Sequence, residues 1–186
     1  MRVAATQGLQ AVSLRHVADE ASVSPGMVQH YFRTKDEMMA FALEVVSENV
    51  QARLAADADL NQPESSKALV RALLVQMLPL DEPRWVEGHV GLAFHAYAAV
   101  QPSLGDHLHA NSEQMQAFLA EQIKTAHSDT DAPTPAAARD PASAAITLLA
   151  LIEGLSMYVL NRYYTAETAL AALDAHLSAV FDPSTR

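Results

Sequence analysis

The chain contains no cysteine. That excludes a disulfide scaffold, a thiol nucleophile and any thiolate zinc site, and it fits a reducing, cytoplasmic setting. The N-terminal run Met1-Arg2-Val3-Ala4-Ala5 lacks the apolar core of a secretory signal. The most apolar stretch, Ala144 to Leu160, is interrupted by Glu153 and closed by Asn161-Arg162. It reads as a buried helix and not as a membrane span. Strand-like alternation between Asn-Gly or Asp-Gly turns is missing, as is any internal repeat. So are His-Glu-x-x-His, Gly-x-Ser-x-Gly and a phosphate-cradling glycine loop. Eight histidines are present, but His107 and His109 lie two apart on a predicted helix and point to different sides. His89 and His95, six apart, do not share a ligand edge either. No enzyme chemistry, metal or cofactor is therefore expected.

Positive charge is also scarce, with 12 Lys and Arg against 22 Asp and Glu for a net charge of −10. Its distribution is uneven. Residues 1–36 hold four basic side chains (Arg2, Arg15, Arg33, Lys35) against Asp19, Glu20 and Asp36, so they carry +1 and the other 150 residues carry −11. An acidic body behind a near-neutral head suits a protein that meets phosphate with one end only; a solvated acidic surface would look the same.

Half of the 186 residues are apolar, enough for a packed core. Nearly every segment repeats at the helical period, and Ala, Leu, Met, Glu and Gln dominate. Breaks at Gly8, residues 22–25, Arg33-Thr34, 59–63, 79–83, Pro102 and Ser128 to Ser143 leave about nine helices. The last break, with Pro133, Pro135 and Pro141, reads as a mobile loop. The fold class is all-α. Short, tightly joined helices come first, then one long helix over residues 35–57, then helices of bundle length.

Ser13 is a good N-cap, and Leu14, Val17, Ala18 and Ala21 form one apolar stripe behind it. Ser22-Val23-Ser24 makes a tight turn with Val23 as its plug. Ser24 then caps a second helix with Pro25 at its first position. That helix buries Val28 and Phe32 and shows Pro25, Gly26, Met27, Gln29 and His30 on its other face. Thr34-Lys35-Asp36-Glu37 is a capping box that opens the third helix. Two short helices at a steep angle, the second small and uncharged outside, make either a plain helical hairpin with a wet face or a helix-turn-helix. In the second case Gly26 allows close backbone approach, Gln29 pairs with adenine N6/N7 and Met27 packs on a thymine methyl. His30, Tyr31 and Lys35 then hold phosphates, together with Arg15 beside the helix starts at Ser13 and Ser24.

The run from Ser13 to Met38, SLRHVADEASVSPGMVQHYFRTKDEM, resembles the signature of the TetR family of repressors: Val17-Ala18, then Ala21-x-Val23-Ser24-x-Gly26, an aromatic pair and a lysine. Its Gly26-x-x-x-His30-Tyr31-Phe32 version is similar to the choline-responsive, BetI-like branch. Weaker similarity continues in Trp85 to Ala98 and Leu148 to Leu155, so the resemblance extends over the whole chain. It implies operator DNA and a small molecule as partners, with a ligand pocket in the C-terminal helices and a homodimer through the last two. Because it is weakest over the body, it does not by itself extend to the branch's ligand. Family members carry a full, basic first helix where only seven residues precede Gly8 here, which implies a truncated first helix and a sequence that starts late. The domains are then a DNA-binding head, 1–45, and a ligand-binding and dimerisation body, 46–186.

In the body, Trp85, His89 and Phe94 lie on a helix that also holds Gly88 and Gly91, each costing about 0.8–1.0 kcal/mol against alanine. Those glycines signify either room for a ligand or close helix packing. Met77, Met115, Phe118 and Met157 are candidates for the same cavity wall, although each singly suits an ordinary core. Glu153, among apolar neighbours, either pairs with a cationic ligand, bonds across a dimer or sits partly exposed at the seam. Leu148, Leu151, Ile152, Leu155, Val159 and then Leu170, Leu173, Leu177, Val180 and Phe181 offer more apolar surface than one layer needs, which a four-helix dimer interface would bury. The function expected is a ligand-responsive repressor on a palindromic operator. The alternative is a helical adaptor that has lost DNA binding.

Overall fold

The structure is a computed structural model; it describes Val3 and residues 12–57, 62–99, 102–128 and 134–182, the side chains of 102–110 excepted. The described residues form eight α-helices: α1 Leu14–Glu20, α2 Pro25–Tyr31, α3 Lys35–Ala56, α4 Ser66–Val75, α5 Glu82–Ala98, α6 Pro102–Ser128, α7 Pro141–Leu160 and α8 Ala166–Phe181. The helix expected ahead of Gly8 lies outside these residues.

Local chemistry starts the helices. Ser13, Ser24, Thr34, Ser65, Asp81, Asp140 and Thr165 each turn a side-chain oxygen onto a free N–H of the first turn. Pro25 and Pro141 open α2 and α7, where a missing N–H costs nothing. At Thr34 the capping box is modified: its Oγ1 accepts from the Glu37 N–H at 3.1 Å, while Glu37 Oε2 reaches one residue further back to the Arg33 N–H at 2.7 Å. Between α1 and α2, Ser22 adopts a left-handed conformation (φ 55°), and the Ser22 and Val23 N–H groups close on Asp19 and Ala18.

Two cores result. The larger joins Val70 and Leu74 of α4, Leu119 and Ile123 of α6, and the inner faces of α7 and α8. Seven of the ten residues expected to face a dimer partner belong to it: Leu148, Ile152, Leu155, Leu173, Leu177, Val180 and Phe181 are buried within the chain. This part of the apolar surface on α7 and α8 packs on α4 and α6 within the chain. α7 is long and apolar enough for a membrane span, yet its Ala145, Leu148 and Ile152 are fully buried against neighbouring helices. The stretch expected as a loop before α7 is partly structured, with a short 3-10 helix at Ala136–Ala138 whose Ala138 joins the core. Residues 129–133 lie outside the description.

The smaller core carries Val12, Met38 and Met39 together with Val90, Phe94 and Ala98 of α5, and Leu14, Val17 and Phe32 pack on it. The head is therefore completed by a helix of the body. The proposed division at residues 45/46 falls within the continuous helix α3.

Ser22 offers a direct check on the α1–α2 turn. Ser22→Gly removes the left-handed penalty and should stabilise the chain by about 0.5–1 kcal/mol after the entropy of a glycine is set against it. Ser22→Val should destabilise it, and thermal melts with the opposite order would refute the turn geometry.

Candidate DNA-reading face and ligand cavity

On α2, Val28 alone is buried, and Phe32 behind it is half-buried in the head core. Ser24, Pro25, Gly26, Met27, Gln29, His30 and Tyr31 are all exposed, Met27 at 51% and Tyr31 at 73%. Met27 and Tyr31, four apart, are two of several large apolar side chains left in water, and both lie on the outer face of α2. A Cβ built at Gly26 would meet only Ser24 Oγ, at 4.0 Å, so no packing requires the glycine. The His30 and Tyr31 rings stand edge to face, 5.5 Å apart. Ser13 and Ser24 spend their hydroxyls on the His16 and Met27 N–H groups, both at 3.2 Å. Arg15 is exposed on α1. Lys35 is half-buried, with its ammonium over the Tyr97 ring, 5.7 Å from the centroid.

Tyr97 ties the head to α5 a second time. Its hydroxyl donates to Asp36 Oδ1 at 2.5 Å. That bond, with some desolvation and the carboxylate's charge, raises the phenol above its ordinary value.

Behind the head, α3, α5 and α7 enclose a cavity of about 570 Å³, a usual size for a small-molecule site. Val46, Val50 and Arg53 come from α3, Gly88, Gly91, Leu92 and His95 from α5, and Gly154, Met157 and Leu160 from α7. Its polar corner is Glu87, the one buried charged residue among those described. Glu87 Oε1 accepts from Asn49 Nδ2 at 3.0 Å and Arg53 Nη1 at 3.1 Å, and Oε2 from Arg53 Nη2 at 2.8 Å. A buried carboxylate needs this much compensation. At the mouth, Ser156 donates to the Met77 carbonyl at 3.0 Å.

Three of the eight expected ligand residues line this cavity: Met77, Glu153 and Met157. The other five do not, each for a definable reason. Phe94 is buried in the head core, on the face of α5 turned toward Val90 and Ala98. Trp85 and His89 lie on another edge of α5, where their rings pack 3.9 Å apart and His89 Nδ1 sits 2.9 Å from the Trp85 carbonyl. Met115 and Phe118 line a shallower groove across α3, with Leu73. Val46 and Val50 border both spaces. The Glu87 cluster was missed, although it left a signal. Glu87 falls three and seven residues before Val90 and Phe94, on the buried stripe of α5, and Asn49 and Arg53 are four apart on α3.

An exposed helix on a helix-turn-helix, packed against a helical body with a partly open cavity, is the arrangement of a one-component regulator. Residues 1–41 match the bacterial regulatory proteins of the tetR family, and residues 66–182 match the family described as BetI-type transcriptional repressor, C-terminal. The chain belongs to the TetR family, with a body of the BetI type; these are transcriptional regulators, not enzymes. It is 36% identical over 108 residues to the HTH-type transcriptional regulator PksA of Bacillus subtilis, covering 58% of this chain and about half (52%) of that protein. A transcriptional regulator from Rhodococcus sp. Rha1 is 33% identical with a TM-score of 0.81, over 96% of this chain and 90% of that one. A regulator from Saccharomonospora viridis, solved in complex with choline, shares the fold at 21% identity and TM-score 0.81, over 100% of this chain and 93% of that one.

Two outcomes follow. Arg53→Met strands the Glu87 carboxylate and should destabilise the chain, at the lower end of roughly 3–5 kcal/mol because Arg53 is partly exposed. Adding Glu87→Leu should restore most of the loss; if the single variant melts like the native chain, Glu87 is not a buried charge. Tyr97, with a raised folded pKa, contributes stability that is complete below the ordinary phenol value of 10.0 and is lost as pH rises through the folded value. Tyr97→Phe should accordingly lower the melting temperature at pH 8 by an amount that shrinks in strong alkali. It should also remove a late-ionising tyrosine from an ultraviolet titration.

Proposed function

We propose that the chain is a cytoplasmic, ligand-responsive repressor that binds a palindromic operator as a homodimer. Residues 1–45 read DNA and residues 46–186 hold the ligand and the partner subunit. The observation that carries this reading is the course of α3. One uninterrupted helix has its first turns in the head core, at Met38 and Met39, and its later turns in the cavity wall, at Val46, Val50 and Arg53.

In this reading Gln29 and Met27 meet base edges, Gly26 and Pro25 allow α2 to approach the major groove, and Tyr31, His30 and Arg15 meet the backbone. The dimer forms through α7 and α8, whose outer faces expose Ile146 and the small residues Ala171, Ala175 and Ala179, suited to close helix approach. A small molecule in the cavity shifts α3 and changes the separation of the two heads, so that only one of them fits its half-site. A coupling of about 1–3 kcal/mol suffices. The choline complex of the Saccharomonospora viridis regulator supports a small-molecule occupant of this fold.

Fluorescence anisotropy on the intergenic DNA beside the gene, over a salt series, tests the head. Tight, salt-dependent binding is expected, weaker on scrambled DNA. Gln29→Ala should lose about 1–3 kcal/mol, roughly 10- to 100-fold, and Gln29→Ala/Tyr31→Ala more. No sequence-specific binding would favour the adaptor.

A further inference from the structure

A glycine within a helix has three ordinary justifications: a left-handed backbone, a neighbour too close for a Cβ, or space kept open. Gly88 has the second, because a Cβ there would stand 3.2 Å from Leu160 Cδ2. Gly91 on α5 and Gly154 on α7 have neither of the first two. Both have ordinary helical backbones, and a Cβ at either would meet nothing within 4 Å. Both line the cavity. They weaken two helices and give nothing back to the packing of the chain itself.

We infer that Gly91 and Gly154 set the ligand specificity of the cavity, keeping a bare-backbone passage between α5 and α7 for a slender alkyl body with a protonated amine head. This rests on the ligand-responsive reading above and narrows it. The head group follows from charge. Arg53 is engaged by Glu87, and Arg84 by Asp81 at 2.7 Å. Glu153, exposed on the same wall, has no ion pair or hydrogen bond among the described residues. Among the described lining residues Glu153 is thus the carboxylate without a counter-charge, with the His95 imidazole on the same wall, and its field disfavours an anion. Among the described lining residues none is Phe, Tyr or Trp, and the single His95 ring does not make the cage that holds a quaternary ammonium by several ring faces. A head that donates N–H bonds to a carboxylate fits instead.

The test uses the full chain, with octylamine, octyltrimethylammonium and octanoate as probes in thermal melts at pH 7, beside operator anisotropy. Without probe, Gly91→Ala and Gly154→Ala should each raise the melting temperature by about 2–4 °C, since helix propensity improves and nothing is displaced. Octylamine should stabilise the native chain more than either other probe. Gly91→Leu and Gly154→Leu should weaken its binding at least tenfold, and Glu153→Gln should reduce the preference for the amine. Leucine variants with a native octylamine response, or alanine variants that lose stability, overturn the role of the glycines. Equal or greater stabilisation by octanoate or octyltrimethylammonium, or none by octylamine, overturns the ligand class. Failure of the native chain to bind operator counts against the regulator reading alone, because the melts do not depend on DNA.

Discussion

A single buried carboxylate fixes how the two halves of this chain meet. Glu87 on α5 is taken out of water and held by three bonds from α3, two from Arg53 and one from Asn49. A buried pair of this kind adds little net stability over an apolar contact, because desolvation takes most of what the charges return, and here Arg53 Nε is buried without a partner. What it adds is register. Van der Waals packing between Val46, Val50 and α5 would tolerate a slide of α3 by part of a turn. The guanidinium and amide would not, since a slide strands a charge. The position of the head, which is the start of α3, is thereby referred to one atom pair at the edge of the cavity.

α5 serves two masters through its rotation. Val90, Phe94 and Ala98 face the head and complete a core that α1, α2 and the start of α3 cannot close by themselves. Gly88, Gly91 and His95 face the cavity. Glu87 stands near the boundary of the two faces, and at the far end Tyr97 meets Asp36 and Lys35. An occupant pressing on the cavity face of α5 therefore presses on the wall of the DNA-reading unit.

The head was legible in the sequence because its determinants are local. Caps at Ser13, Ser24 and Thr34, Pro25 at a first position and the Val28/Phe32 pair act over three or four residues, and each is where the pattern places it. The long helix and the two last ones were legible for the same reason. The cavity was not, because its lining depends on how far each helix is rotated about its axis, and aromatic or methionine identity carries no information about rotation. Phe94 and Met115 are as apolar as Met157 but turn elsewhere. The apolar stripes on α7 and α8 did not by themselves tell inner from outer face for a related reason: a pattern counts what must be buried and not which neighbour buries it. The polar corner was recoverable, since a glutamate on an apolar stripe demands partners, and a pair four apart on another helix is what could supply them.

The packing around α3 explains why this helix can carry a signal at all. Tightly packed helices resist displacement, since each atom lost from contact forfeits dispersion energy that nothing replaces. Along its middle α3 packs on one side, where Leu43 and Val46 meet the smaller core, and faces open space on others. Val46 and Val50 border the cavity on one side and the groove toward Met115 and Phe118 on the other. Moving the helix toward either space breaks few contacts, so its position is decided by the polar clamp at Glu87 and by whatever fills the cavity. A helix loose in the middle, anchored in a core at its start and pinned by one ion pair further along, has few alternative positions. That is the condition under which a modest binding energy selects between discrete states instead of being dissipated in small adjustments.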